Sequence, residues 1–492
     1  MANLRSKSAT RFNWARTAVS SLCLLGALSS PIARSQSSIQ LPNFGDASGS
    51  VFSSADEQRL GEAFLREVRA NTDTLDDPEV EAYVSSLGFS LVSASDNPGR
   101  AFTFFVIAND NVNAFAGPNG VIGVNTGLIM AVESESELAA VLAHEVAHVT
   151  QQHIARGIEL NDRYSIPAMA GLLAALILST QNSQAGGAAT AAVLGAQVQN
   201  QVDFIRANEY EADRVGIGIL MRAKYDPRAM AGFFARLQES SRYYRSPPEF
   251  LSTHPVTSSR IAEGRARAAK LPYKQYSDSA AFFRVKARVE VLTNGAKKTL
   301  PVFNKRLAEG IGGSRNANIY GKALALMELG RYAEAQPLLA KLIAAESGSI
   351  PYQDAYARSH LALGGSAAAI AIYQSFLRVY LNDRQMTIGL AEALLKSKRP
   401  RDAIRTLERY LRAHPNDAFS YKLLARSYET EGQTAASLAA LGEHHYLNGG
   451  FRQALFQMER AQRLPNDDFY LASRISARVK ELRKESAERN KN

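Results

Sequence analysis

The chain has 492 residues and a formal net charge of +10, with 46% hydrophobic and 21% charged residues. That length suits two to four domains, and the balance excludes a disordered chain, a collagen and a polytopic membrane protein. One cysteine, Cys23, excludes a disulfide scaffold and a thiolate zinc finger.

Arg5, Lys7, Arg11 and Arg16 precede an apolar stretch from Ala18 to Leu28, followed by Pro31 and the small residues Ala33 and Ser35. We expect residues 1–35 to be a cleavable signal peptide, because the apolar core is too short to span a bilayer. An uncleaved N-terminal anchor is the alternative. Leu22 before Cys23 argues against lipoprotein processing. Cleavage after Ser35 removes five cationic residues and no acidic one, which halves the positive excess. The remainder is no argument for a nucleic-acid partner, and none is expected.

Residues 36–52 are rich in Ser, Gly and Asn and read as a flexible lead-in. Helices are predicted from Ser54 and after Asp77-Pro78, where Asp caps and Pro takes the first turn. The aromatic and β-branched run Ala101–Ala108 predicts a strand. Asn113–Asn125 reads as a loop or turn running into a second strand. A few strands before a long helical tract suggest an α+β, mostly helical domain over residues 53–270. Within it, Pro167–Leu178 is apolar all round but too short to cross a membrane. It is either a buried helix or a mobile flap giving peripheral membrane or substrate contact through residues 166–180. The Gly- and Ala-rich stretch Gln181–Ala196 favours mobility.

Residues 271–314 read as a connecting helical segment. From residue 315 to 480 the chain becomes helical hairpins. Gly330, Gly364, Lys398 and Gly432 follow one another at 34-residue intervals. Five residues beyond each stands Ala335, Ala369, Ala403 or Ser437, and Gly449 and Ala454 keep that offset. This period, with a small residue where two helices cross, resembles tetratricopeptide repeats and predicts an all-α repeat domain that binds a partner on its concave face. Residues 481–492 read as a charged, solvated tail.

The chemistry centres on His144-Glu145-Val146-Ala147-His148, in a helix that Ser134 and Glu137 start as a capping box. Residues four apart share a helical face, so both imidazoles reach one metal ion, and Glu145 stands beside them to accept a proton from water. A third ligand is needed. Glu209 supplies it, completing a His, His, Glu set that suits one Zn2+ per chain. Asp213, four residues on, shares its face and is placed to hydrogen-bond the far nitrogen of a ligand histidine. Glu211 projects about 160° away and is not expected to be a ligand. His153, projected to the far side of the same helix, is expected at the surface. His360, His414, His444 and His445 are expected to be structural or solvated.

The segments HEVAH, EYEADRVG and NAFAGPNGVIGVNTGL together resemble the gluzincin metallopeptidases related to the CAAX prenyl proteases and the HtpX heat-shock protease. The resemblance covers residues from about 54 to 480, and here it would describe an exported, periplasmic member carrying C-terminal repeats. It implies Glu209 as the third ligand and an edge strand within Asn113–Asn125 on which substrate backbone pairs. Pro118-Asn119-Gly120 departs from the Pro-Gly-Gly that relatives often carry. It further implies that His254, before Pro255, reaches the active site as a fourth zinc ligand that holds the enzyme latent. A fourth protein ligand displaces the water that hydrolysis needs. His254 could instead swing away and donate to the tetrahedral oxyanion, and Arg260 is a second candidate for that role. The alternatives are a turn residue at His254 and a structural ion pair at Arg260.

The expected function is a zinc metalloendopeptidase, and the resemblance implies that it degrades unfolded or stalled outer-membrane proteins and contacts the outer-membrane assembly machinery through its repeats. The rival is a periplasmic chaperone or scaffold whose metal site is latent or structural.

Overall fold

A computed structural model of the chain describes residues 53–158, 166–179, 198–241, 248–465 and 468–489. The expected signal peptide, the lead-in and the Gly/Ala-rich stretch of residues 181–196 lie outside them. The fold is α+β and mostly helical. Among the described residues no helix is long and apolar enough to cross a membrane.

Helix α1 (Ser54–Asn71) is capped by Ser53, and α2 (Pro78–Ser93) by Asp77, whose carboxylate accepts from the Val80 amide at 3.1 Å. Three short strands follow: β1 (Thr103–Ile107), β2 (Ala114–Ala116) and β3 (Val121–Asn125). They form one sheet in the order β1-β3-β2, with β1 parallel and β2 antiparallel to β3. The strand expected over Ala101–Ala108 is thus shorter at both ends. Asn119 takes a left-handed φ of 52° in the turn before β3. Asparagine tolerates that region better than other side chains, so the departure from Pro-Gly-Gly costs little.

Helix α3 (Thr126–Ala131) leads into α4 (Glu135–Thr150). Ser134 accepts from the Glu137 amide at 3.3 Å, while the Glu137 carboxylate returns to the Glu133 amide at 2.7 Å. The next helices are α5 (His153–Ile158), α6 (Ile166–Ser179), α7 (Val198–Arg222), α8 (Arg228–Ser240), α9 (Glu249–Thr253) and α10 (Ser258–Ala269). Val84, Leu91, Ile122, Val141, Val146, Leu220 and Phe233 form the main core, with α4 at its centre. Helix α6 buries Met169, Ala170 and Ala174 against Leu60, Phe64 and Val68 of α1. Its Leu172 is 51% exposed.

The connecting segment joins that core directly. Helix α11 (Ala280–Asn294) inserts Phe282, Val285 and Val289 into it, and α12 (Ala296–Glu309) follows. Ten more helices run from Arg315–Glu328 to Phe469–Arg489. The turn residues Gly330, Gly364, Lys398 and Gly432 share positive φ angles of 76°, 88°, 56° and 80°. That common conformation explains the glycine period, because a residue without Cβ enters it freely. Ala335, Ala369, Ala403 and Ala454 are fully buried at the crossings. The charged tail continues the last helix as far as Arg489, and Leu482 is buried against Met458 and its neighbours.

The repeats return to the first domain along α1 and α2. Arg288 of α11 holds Asp77 at 2.7 Å, and Tyr320 donates to Glu79 at 2.6 Å. Arg384 bridges Glu81 at 3.0 Å and Asp417 at 2.7 Å. Gly449 lies on the α1 backbone, where an added Cβ would stand 2.2 Å from the Arg66 carbonyl oxygen.

Candidate metal centre

Helix α4 presents His144 and His148 on one face, and α7 crosses it with Glu209 and Asp213 one turn apart. His254 caps α9, where Pro255 prevents the helix from continuing. The histidine is held by its surroundings. Its ring stacks on Phe250 at 4.8 Å, and the Phe250 amide donates to the Val112 carbonyl at 3.1 Å. The side chains of Asn113 and Asn111 both donate to the Glu249 carboxylate, at 2.6 and 3.1 Å. The segment carrying His254 is thereby tied to the residues that lead into β2.

These elements bring His144, His148, Glu209 and His254 together, with one ligand atom from each within 4.8 Å of all the others. His148 Nε2 lies 3.0 Å from His144 Nε2 and 3.4 Å from Glu209 Oε1. His254 Nδ1 lies 3.3 Å from His144 Nε2 and 3.0 Å from Glu209 Oε1. Bonds of zinc length put tetrahedral ligands about 3.3 Å apart. The donor set and its spacing therefore fit a tetrahedral metal ion.

Glu145 is buried behind the set, and His254 Nε2 lies 3.3 Å from its Oε1. The His254 ring thus spans from the ligand cluster to the candidate base. Burial raises the Glu145 carboxyl above its usual value, against the pull of His254 and His144. Burial also drives the His148 imidazole down to about 3, although Glu209 opposes it. At His144 the Asp213 and Glu209 carboxylates outweigh burial and lift the value to about 10. Glu209 itself is held well below the carboxylate range, because His254, His144 and His148 overcome its desolvation.

Asp213 Oδ1 lies 3.1 Å from His144 Nδ1, the nitrogen facing away from the cluster. Arg260 is buried and grips Asp213 with two bonds of 2.7 and 2.8 Å. Its remaining terminal nitrogen lies 2.7 Å from Glu209 Oε2 and donates to the Pro255 carbonyl at 2.8 Å. His153 corrects the sequence expectation. It is buried, with Nδ1 at 2.8 Å from His148 Nδ1 and Nε2 at 3.1 Å from Glu211 Oε2. Helix α4 ends at Thr150, and Gln152 takes a left-handed φ of 56° that turns His153 back beneath His148. No Gly or Pro marks that turn, so helical projection ran past it. His153, Asn113 and Glu249 were all missed for want of a local signal. His360 and His414 pack on Tyr356 and Tyr410, and His444 bonds the Ala418 carbonyl, all within the repeats.

An HExxH helix crossed by a second helix that supplies a glutamate, beside a three-stranded sheet, defines a gluzincin-type metallopeptidase. Residues 78–268 match Peptidase family M48, and residues 355–418 and 389–467 match the tetratricopeptide repeat. The chain is 33% identical over 473 residues to a beta-barrel assembly-enhancing protease of Yersinia pestis, covering 95% of this chain and 97% of that one. It is 34% identical to the protein of the same name in Escherichia coli, over 90% of this chain and 91% of the other. The mitochondrial metalloendopeptidase OMA1 of Bos taurus is 28% identical over 40% of this chain and 39% of its own length. The chain belongs to the family of beta-barrel assembly-enhancing proteases, metallopeptidases that end in tetratricopeptide repeats.

Proposed function

We propose that the chain is a latent zinc endopeptidase of the periplasm that hydrolyses unfolded or stalled outer-membrane proteins. The observation that carries this reading is the His254 imidazole, which completes the ligand set with one nitrogen and approaches Glu145 with the other. His144, His148 and Glu209 would hold one Zn2+ per chain. A metal ion in this set supplies Lewis acidity, acidifying water and polarising a carbonyl. Glu145 takes a proton from the attacking water and returns it to the leaving amine. Neither is accessible while the His254 ring lies between them. The alternative role for His254 is to swing away and donate to the oxyanion instead of latching the site. Arg260, with its guanidinium engaged by Asp213, Glu209 and Pro255, acts by holding Glu209 in place.

Substrate would enter as an extended strand. Phe115 is the β2 residue paired with Gly123, and the Gly117 amide donates to Val121 on β3. By alternation, the backbone groups of Ala114 and Ala116 point to the outer edge, where another strand can add. The name shared by the relatives supports outer-membrane proteins as substrates and the assembly machinery as a partner. A cavity of about 350 Å³ between the last repeats and the final helix, bordered by Tyr421, Tyr428, Arg474 and Arg478, is a candidate contact surface. The exposed Leu172 of α6 supports peripheral membrane contact.

Degradation of an unfolded outer-membrane protein by the purified chain tests the proposal. Glu145→Gln is expected to lower the rate at least about 100-fold, the contribution of a general base, with zinc retained. His254→Ala is expected to raise it. Loss of activity in both variants would place His254 in the reaction rather than the latch. The closed ligand set also favours a second reading, a chaperone with a silent site. That reading predicts unchanged assembly of outer-membrane proteins in cells carrying Glu145→Gln.

A further inference from the structure

The two imidazoles of the HExxH helix are supported differently. His144 meets the Asp213 carboxylate directly, at 3.1 Å, and Arg260 anchors that carboxylate. Among the described residues, His148 meets no carboxylate on its far side. It meets the imidazole of His153, at 2.8 Å, and only then the Glu211 carboxylate, 3.1 Å further on. Arg156 of α5 anchors Glu211 at 2.8 Å, as Arg260 anchors Asp213. Both chains therefore run from a ligand ring to a carboxylate to an arginine, and one of them contains an additional histidine.

We infer that His153 and Glu211 are positioning residues for His148, relaying a hydrogen bond that leaves its Nε2 lone pair directed at the metal site. The inference rests on the reading of His148 as a ligand. With neutral rings, one proton arrangement satisfies the contacts along this relay. His153 donates from Nε2 to the Glu211 carboxylate, which can only accept, so its Nδ1 is left as the acceptor. His148 then donates from Nδ1, and its Nε2 has no hydrogen and faces His144 Nε2 and Glu209 across the ligand cluster. A ligand imidazole whose far N–H is engaged is fixed in tautomer and ring orientation and becomes a better donor to metal. Glu211 can serve here because it projects away from Glu209 and Asp213 on α7. It leaves the metal-facing surface to them and reaches the rim, where α5 turns back.

Zinc affinity of the full chain, stripped of metal and titrated against a competing chelator, tests the inference. Replacing His153 by Phe keeps a ring and removes the acceptor. His153→Phe is expected to weaken zinc binding about 10–100-fold, the usual effect of losing such a partner. His153→Gln, whose side-chain oxygen can accept from His148, is expected to recover most of the affinity. Glu211→Gln is expected to weaken binding in the same direction. The cobalt(II)-substituted chain should show altered visible bands in His153→Phe and near-normal bands in His153→Gln. An unmodified chain that bound no zinc would sink the ligand reading itself. Normal zinc affinity in His153→Phe, beside a zinc-binding parent, would overturn the positioning role alone. Equal weakening in the Phe and Gln variants, with both metal-free proteins melting early, would reduce His153 to packing and also overturn it.

Discussion

A residue's role in this chain depends on whether its backbone conformation or its neighbours set it. Lys398 shows the first case. It occupies the turn position that glycine holds in the flanking repeats, at a left-handed φ of 56°, with its side chain exposed. A side chain in that region is strained, whereas glycine is not. Lys398→Gly is therefore expected to stabilise the repeats by about 0.5–1 kcal/mol, net of the unfolded-state entropy glycine adds. Chemical denaturation checks this, and a lower midpoint would show that the lysine makes a compensating contact. Arg260 shows the second case. Nothing in its sequence context separates an oxyanion donor from a structural ion pair. The carboxylates of Asp213 and Glu209, reached from another helix, take up the guanidinium.

At the scale of elements, the helix caps join local signals to long-range ones. Asp77 caps α2 and also pairs with Arg288. Burial alone would raise its carboxyl, but the Arg288 guanidinium outweighs burial and lowers it. Asp417 is lowered in the same way by Arg384. A carboxylate with a depressed folded pKa adds stability that is present above its unfolded value, near 3.9, and lost as pH falls through the folded value. Thermal stability is thus expected to drop as pH falls below about 4. Asp77→Asn, which keeps a capping oxygen, is expected to flatten that drop. An unchanged pH slope would show that Asp77 contributes nothing to it. The strands carry a parallel lesson: β2 has three residues, too few for an alternation signal, and its place at the sheet edge comes from its pairing with β3.

At the scale of the molecule, the repeats are part of the same packed body as the metal centre. Their helices meet α2 through Tyr320 on Glu79 and Arg384 on Glu81, and α1 through Gly449. Gly449 has a φ of 74° and no room for a Cβ against Arg66. Gly449→Val is expected to cost about 1–3 kcal/mol and to open the contact between α1 and the last repeats. Limited proteolysis checks this. Protection equal to that of the parent would mean that the contact is dispensable.

What the sequence determined by itself is what short-range geometry relates. An i, i+4 spacing places two imidazoles on one face of α4, and a fixed period places left-handed turns and small crossing residues along the repeats. Asp77-Pro78 and Ser134 announce helix starts because a cap is a contact across three residues. Tertiary structure decided how separate elements meet. It set the distances among His144, His148, Glu209 and His254, the clamp of Asn113 on Glu249, and the turn that buries His153. These depend on how α4, α7 and α9 cross, and crossing is governed by packing of the whole core. No spacing along the chain encodes it.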